Sequence, residues 1–136
     1  MDYKVKWCLI MKDVILKFKH FNLLAHFNLS HTAQSIWEVL PIRATVNTWG
    51  EEIYFEIPVK CTLEKDFARE LVEPGDLGYW PEGNCFCIFF GPTPLSEGDE
   101  IRPASAVAVI GKVDGVWEPL KTIRDGAKII LEKNNG

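Results

Sequence analysis

The chain has 136 residues, of which 47% are hydrophobic and 25% charged, and its formal net charge at pH 7 is −4. This length predicts one domain that buries enough surface to fold without disulfides or metal ions. The negative charge and the scattered lysines argue against nucleic acid and against a membrane surface as partners, because both require a concentrated positive surface.

The apolar run nearest the N-terminus, Trp7–Met11, is too short for the apolar region of a signal peptide and for a membrane-spanning helix. We therefore expect a cytoplasmic protein. In that compartment the four cysteines are not expected to form a disulfide framework.

The first elements of the predicted domain are a β-hairpin and a helix. Strand-forming residues predict the hairpin from Val14–Lys19 and Leu23–Leu29. A helix is then predicted to begin at Ser30, a favourable N-cap. It ends at Pro41, because proline disfavours the α-helical conformation of the residue before it. The apolar residues of this segment recur at helical spacing. They are Ala33, Ile36, Trp37 and Leu40.

Short strands dominate the rest of the chain. They are predicted at Arg43–Trp49, Glu51–Pro58, Leu77–Trp80, Cys85–Phe90, Ala106–Val113 and Ala127–Lys133. A helical turn is predicted at Lys65–Glu70 and a second short helix at Pro119–Asp125. Many short strands, two short helices and no β-α-β alternation predict a mainly β protein, a closed antiparallel β-barrel.

The Cys-x-Cys at Cys85 and Cys87 raises the question of a metal or redox site. On a strand the two thiols share one face, and their neighbours are aromatic or aliphatic. Structural zinc usually needs a second cysteine pair at a wider spacing, and a buried free cysteine packs as a small apolar residue. We therefore predict a packing role and expect neither a metal nor a cofactor.

Other titratable residues also receive structural interpretations. Glu51 and Glu52, with Asp76, suggest a pair of carboxylates, but turn and surface positions explain them better. His20 and His26 are separated by a predicted hairpin turn, which makes a metal site between them a weak interpretation.

Five stretches of the sequence resemble the small prokaryotic cyclophilin-like proteins of uncharacterised function. They are "HTAQSIWEVLP" (His31–Pro41), "WGEEIYFEIPV" (Trp49–Val59), "PGDLGYWPEGNCFCIFFGPTPLS" (Pro74–Ser96), "DEIRPASAVAVIGKV" (Asp99–Val113) and "IRDGAKIILE" (Ile123–Glu132). The resemblance implies a closed antiparallel cyclophilin-like β-barrel with two short capping helices.

The resemblance covers about Met11–Glu132, nearly the whole chain. It implies that residues 1–10 are an N-terminal extension and that residues 11–136 form a single cyclophilin-like domain. Within the extension Val5, Trp7 and Leu9 alternate, which fits an additional strand or a segment through which an oligomer assembles.

The family name suggests peptidyl-prolyl cis-trans isomerisation, but the residues of the familiar cyclophilins are missing. Those proteins carry a phenylalanine-histidine-arginine strand motif and a phenylalanine-methionine-x-glutamine segment, whereas Gln34 is the only glutamine here and is placed on the predicted helix. The first hypothesis is therefore a module that binds a peptide or a small ligand without the usual catalytic residues. The alternative is an atypical peptidyl-prolyl isomerase.

A binding site is predicted where the loop Gly91-Pro92-Thr93-Pro94 follows an apolar strand. Thr93 offers a hydroxyl and Arg102 a fork of donors, which together suit a peptide carbonyl or a carboxylate. Structural alternatives are that Arg102 pairs with Glu100 or with loop carbonyls, and that the loop protects the edge of the barrel from pairing.

Aromatic residues with polar tips supply the walls of this site, unless their role is half-buried packing. Phe90 is either a wall of this site or a core residue. An unbroken apolar run does not define which of its residues point inward, so the sequence leaves both orientations open. The predicted ligand-binding residues are Arg102, Thr93, Gly91, Phe90, Trp80, Trp49 and Tyr54. The expected partner is a proline-containing peptide or a small ligand.

Overall fold

In the part of the chain that the structure describes, ten antiparallel strands form one sheet that curls into a nearly closed barrel. The structure, a computed structural model, describes residues 12–134. The N-terminal extension predicted at residues 1–10, with its suggested part in an oligomer, lies outside the described residues. The mainly β barrel predicted from the sequence is confirmed.

The bounds of the elements follow the chain. The strands are β1 (Lys12–Lys17), β2 (Asn22–Phe27), β3 (Ile42–Thr45), β4 (Asn47–Thr48), β5 (Glu52–Glu56), β6 (Ala68–Arg69), β7 (Asp76–Trp80), β8 (Cys85–Phe89), β9 (Val107–Val113) and β10 (Lys128–Lys133). One α-helix, α1 (His31–Glu38), and two 3-10 helices, Lys65–Phe67 and Glu118–Thr122, complete the described chain. No helix within residues 12–134 is long and apolar enough to cross a membrane.

The prediction of two capping helices needs a correction. Only the first is an α-helix, whereas the second, expected at Pro119–Asp125, is the 3-10 helix Glu118–Thr122. Its segment makes hydrogen bonds three residues apart, such as Leu120 N to the Trp117 carbonyl (2.9 Å). A stretch this short has too few residues to favour the α-helical pattern, and 3-10 turns commonly serve as connectors.

The strands follow the order β3-β10-β1-β2-β9-β7-β8-β5-β4 in the sheet, with β6 paired to β9. The barrel closes at Val46, because this single residue joins β3 to β4, the first and last strands of that order. Val46 N donates to the Ala127 carbonyl and Gly126 N donates to the Val46 carbonyl, both at 2.9 Å. Beside this seam the carboxylate of Asp125 accepts bonds from Thr48 N (2.6 Å) and Thr48 Oγ1 (2.9 Å). The loop before β10 thus supplies the hydrogen bonds that a neighbouring strand would supply.

The unbroken apolar run Cys85–Phe90 contains β8, and it is explained by the burial of this strand on both faces. Alternate side chains point to opposite faces of a strand. The set that joins the barrel core is Phe86, Ile88 and Phe90. The set that faces a second apolar cluster outside the barrel is Cys85, Cys87 and Phe89. A strand covered on both sides reads as continuous apolar sequence rather than as an alternating pattern.

Helix α1 is capped by two side chains. Ser30 Oγ accepts a bond from Ala33 N (3.1 Å), which confirms Ser30 as the N-cap. The carboxylate of Glu64, far along the chain, accepts bonds from His31 N (3.1 Å) and Thr32 N (2.7 Å). Burial raises the pKa of Glu64, but the hydrogen bonds from the Thr32 hydroxyl and from the Thr32 and His31 N–H groups together lower it by more, so its pKa lies below the ordinary value.

His26 binds two aspartates on the outside of the sheet. Its Nδ1 lies 2.7 Å from Asp13 Oδ1, and its Nε2 lies 3.3 Å from Asp114 Oδ2. Burial lowers the pKa of His26, but both hydrogen bonds and the negative charges raise it above the ordinary value. The imidazole therefore links β1, β2 and the turn after β9 as part of the surface of the sheet.

We expect Glu64→Ala to destabilise the protein by about 1 kcal/mol, the usual cost of losing a helix cap. Two backbone N–H groups at the start of α1 lose their acceptor, whereas Glu38→Ala, at the other end of the helix, removes one exposed bond from Gln34 Nε2 (2.9 Å). Urea unfolding followed by circular dichroism measures both variants, and equal losses would contradict the capping role.

Candidate functional site

A pocket of about 290 Å³ opens on the outer side of the barrel wall. Its lining residues are Trp49, Glu52, Tyr54, Trp80, Pro103, Ala104 and Val107. Glu52 and Tyr54 belong to the outer face of β5, since Ile53 and Phe55, between and after them, lie in the barrel core. The pocket therefore lies between the sheet and the long loop that precedes β9, next to the second apolar cluster.

A tight turn brings Trp49 and Glu52 together at the end of β5. Trp49 N donates to the Glu52 carbonyl (2.9 Å), and Glu52 N donates to the Trp49 carbonyl (3.2 Å). Gly50 sits at the first central position of this turn with φ 62°, a left-handed conformation in which glycine carries no steric penalty. A Cβ on Gly50 would also lie 2.9 Å from the Pro92 carbonyl oxygen.

Trp80 is held in place at the end of β7. Its indole Nε1 donates to Ser105 Oγ at 2.6 Å. Gly83, in the turn that follows, leaves room for the ring, because a Cβ on Gly83 would collide with it. The same hydrogen bond anchors the loop next to Pro103 and Ala104, so one contact positions two walls of the pocket.

Among the residues that line the pocket, only Glu52 has a carboxyl group, and it is 6% exposed. Among the described residues, its Oε1 has no hydrogen-bond partner. Burial raises the pKa of Glu52 to about 7, and the Cys87 thiol, which faces the carboxyl, opposes this rise. The carboxyl thus changes charge near neutral pH inside an otherwise apolar pocket.

The surface interpretation of Glu52 is therefore wrong, and the physical reason is the cover over the outer face of β5. Asp76 is also buried (9% exposed), but it has partners: its carboxylate accepts a bond from Glu73 N (2.8 Å) and lies 3.4 Å from Lys112 Nζ. Glu51 stays at the turn, close to Gly91.

The burial expected for the Cys-x-Cys motif is confirmed, with Cys85 6% and Cys87 1% exposed. Burial raises the pKa of both thiols above the ordinary value, and the nearby Glu52 adds to the rise for Cys87. Cys61 is half-buried. Within residues 12–134, no three His, Cys, Asp or Glu side chains are grouped in a way that could hold a metal ion.

The loop residues predicted as ligands meet one another, but not in the aromatic pocket. Thr93 Oγ1 donates to the Arg102 carbonyl, and Ser96 Oγ accepts bonds from Thr93 N (2.9 Å) and Arg102 N (3.1 Å). The Arg102 guanidinium pairs with Glu100, Nε to Oε2 at 2.9 Å. Arg102 lines a neighbouring, more polar depression and supports the pocket only through the backbone that leads to Pro103.

Gly91 and Phe90 do not line the pocket. Phe90 is 7% exposed and packs in the barrel core, which is the other of its two predicted orientations. Its N–H donates to the Glu51 carbonyl (3.0 Å), and Glu51 N donates to the Pro92 carbonyl (2.9 Å). A Cβ on Gly91 would collide with the Glu51 side chain. This loop therefore supports the turn that carries Trp49 and Glu52.

Of the predicted residues, the pocket contains Trp49, Tyr54 and Trp80. Sequence reasoning missed Glu52 as a pocket residue, together with Pro103, Ala104 and Val107. The signal for Glu52 was present in the alternation of β5: with Ile53 and Phe55 inward, Glu52 shares the outer face with Tyr54.

The sequence belongs to the cyclophilin-like family, whose model matches residues 12–132. The chain is also similar to a hypothetical protein from Archaeoglobus fulgidus whose structure was determined in solution. The two are 35% identical and superpose with a TM-score of 0.77 over 92% of this chain and 96% of the archaeal one. No curated protein matches the sequence.

We expect Glu52 to lower the stability of the protein as the pH rises from mildly acidic to neutral values. The folded protein holds the Glu52 proton more tightly than the unfolded chain, so the Glu52 contribution to stability declines from pH 4.5 to about 7 and is level above that. The loss is about 3 kcal/mol, and Glu52→Gln removes it. Glu56→Gln, exposed on the same strand, serves as the control. Urea unfolding at pH 5, 6, 7 and 8 measures the effect, and parallel pH profiles for all three proteins would contradict it.

We expect Cys85 and Cys87 to react slowly with a thiol reagent in the folded protein, because both are buried with raised pKa values. The half-buried Cys61 should react faster. Mass spectrometry of the labelled peptides, with urea-unfolded protein as the reference, measures each site. Rapid labelling of Cys87 in the folded protein would show that the second apolar cluster opens.

Proposed function

We propose that this protein is a ligand-binding module and that its site is the outer pocket between Trp49, Tyr54 and Trp80, with Glu52 at its base. The observation that carries the proposal is the buried Glu52 carboxyl, one oxygen of which has no partner among the described residues. A polar atom left in this state costs roughly 1–3 kcal/mol, and a ligand donor would recover that cost.

The composition of the pocket supports the same function. Binding sites are commonly apolar and aromatic concave surfaces with a few convergent polar groups, and this pocket has three aromatic walls around one carboxyl. A volume of about 290 Å³ suits a small molecule or one side chain of a peptide, including a proline ring.

Binding without turnover is favoured over the alternative of peptidyl-prolyl isomerisation. Rotation about a prolyl bond is helped by a donor near the prolyl nitrogen, which stabilises the deconjugated state. The Arg102 guanidinium pairs with Glu100 and does not line the pocket. The one polar group at the base, Glu52, becomes an acceptor when ionised. We place this function in the cytoplasm, the compartment that suits unpaired buried thiols.

A proton–nitrogen NMR titration tests the proposal with two neutral probes, 2-phenylethanol and a proline-containing tetrapeptide. We expect at least one probe to shift the indole N–H signals of Trp49 and Trp80. Trp49→Ala should weaken binding about tenfold or more by removing a wall, while Arg102→Ala leaves the affinity within about twofold.

The same titration separates the two functions. Exchange cross-peaks between the cis and trans forms of the tetrapeptide, accelerated by the wild-type protein, would favour an isomerase. Shifts without acceleration would favour a binding module. If neither probe perturbs Trp49 or Trp80, and Trp49→Ala changes nothing, the outer pocket is not a binding site for this class of ligand.

A further inference from the structure

We infer that the ligand of the outer pocket is an organic cation, namely a protonated amine on an aromatic or apolar stem that donates a hydrogen bond to Glu52. This inference rests on the proposed function of the pocket and specifies the class of its ligand. It begins from the unpartnered Oε1 of Glu52, a residue that is 6% exposed and lines the pocket.

The pocket supplies no cation of its own. Besides Glu52 the lining residues are two tryptophans, a tyrosine, a proline, an alanine and a valine, and no lysine, arginine or histidine is among them. An ionised carboxyl in such surroundings requires an opposite charge, because a buried charge without a partner is strongly disfavoured. The missing charge and the missing donor are both properties of a protonated amine.

No donor among the described residues is bonded to Glu52 Oε1. The indole N–H of Trp80 is bound to Ser105 Oγ at 2.6 Å, so it is not free for the carboxyl. The Cys87 thiol interacts with the Glu52 carboxyl, but an S–H group is a weak donor and leaves Oε1 without a partner. A ligand N–H is therefore the donor that completes the site.

The aromatic walls suit the same ligand. A cation over the face of a tryptophan or tyrosine ring is attracted by the negative face of the π system, and tryptophan is the strongest partner. Trp49, Tyr54 and Trp80 all line the pocket beside the carboxyl. An apolar stem then packs against Pro103 and Val107. An anionic ligand would meet the carboxylate and the ring faces, which both repel it.

The site also predicts how binding depends on pH. The titratable group that interacts with Glu52 is the Cys87 thiol on β8; Cys85 lies further along that strand, and the raised pKa values of both thiols keep them neutral. Tyr54, on the same strand as Glu52, lines the same pocket. Glu52, with its pKa of about 7, is the group whose charge changes between pH 6 and 8. An alkylamine stays protonated over that range, since its pKa is near that of lysine, about 10.

Isothermal titration calorimetry with three probes of similar size tests the inference. They are 2-phenylethylammonium, the neutral 2-phenylethanol and the anionic 3-phenylpropionate. At pH 8 we expect the ammonium to bind about tenfold or more tightly than the alcohol, and the propionate to bind more weakly than either. Between pH 8 and pH 6 the ammonium affinity should fall several-fold, whereas the alcohol affinity should change much less.

Variants assign the effect to the carboxyl. Glu52→Gln should bring the ammonium affinity down to about that of the alcohol. Glu56→Gln, which removes an exposed carboxylate from the same strand, should preserve the preference for the ammonium. Should Glu52→Gln fold poorly, the pH profile of the wild-type protein still decides the question.

The outcomes separate the inference from the function on which it rests. Equal affinities for ammonium and alcohol at pH 8, or an ammonium affinity that does not change between pH 6 and 8, would overturn the cation inference and leave the pocket as a binding site. Tighter binding of the propionate would overturn it as well. If none of the probes shifts the Trp49 and Trp80 signals, the proposed function fails and the inference falls with it.

Discussion

Burial of β8 on both faces is the constraint on which the candidate site depends. A strand whose two faces are apolar needs a cover on the outside of the barrel, since exposed apolar surface is unfavourable in water. The chain provides that cover with the loop from Gly91 to Ala106, and Val72, Ile101 and Val107 complete the second cluster. Where this cover meets the turn before β5, it leaves an opening, and the aromatic pocket occupies it.

The same cover explains the unusual state of Glu52. A glutamate on the outer face of an ordinary barrel strand would be solvated, and its carboxyl would titrate normally. Here Trp49 and the loop around Pro103 exclude most of the water, and the groups behind the carboxyl are apolar or weakly polar. Its desolvation is a cost to the fold, and its Oε1 has no hydrogen-bond partner among the described residues. Residues that break the rule of satisfied buried polar groups are most often found at functional sites.

The parts of the fold that sequence could predict are those determined by local pattern. The hairpin of β1 and β2, the helix capped by Ser30, and the β7–β8 hairpin follow from alternation, capping and turn residues. The helix capping by Glu64 depends on a contact 32 residues distant in sequence, which no local pattern contains. The 3-10 geometry of Glu118–Thr122 depends on how a short connector packs, so sequence indicated a helix but not its type.

The candidate site was predictable only in part for a related reason. Residue chemistry selected Arg102, but a loop arginine beside an acid two positions earlier pairs locally with it, as Arg102 does with Glu100. For Glu52, a turn or surface position is the better explanation from sequence alone, and burial contradicts it. The alternation of β5 is compatible with the outer face that Glu52 occupies, but only the tertiary cover makes that face an interior.

The position of the pocket outside the barrel follows from the size of the core. The barrel interior is filled by large side chains that are at most 1% exposed, including Phe27, Phe55, Tyr79 and Phe86. The rings of Phe55 and Phe86 stack with centroids 5.3 Å apart, so these side chains fill the centre as in other small barrels. A ligand cannot enter such an interior without displacing core residues. The proposed site therefore lies at the junction between sheet and cover. There the backbone of the Gly91–Ala106 loop is fixed by hydrogen bonds among Thr93, Ser96 and Arg102 rather than by a regular strand. Because this loop is outside the ladder of the barrel, its sequence can change the chemistry of the pocket without changing the fold, whereas Glu52 belongs to a ladder strand and keeps its position.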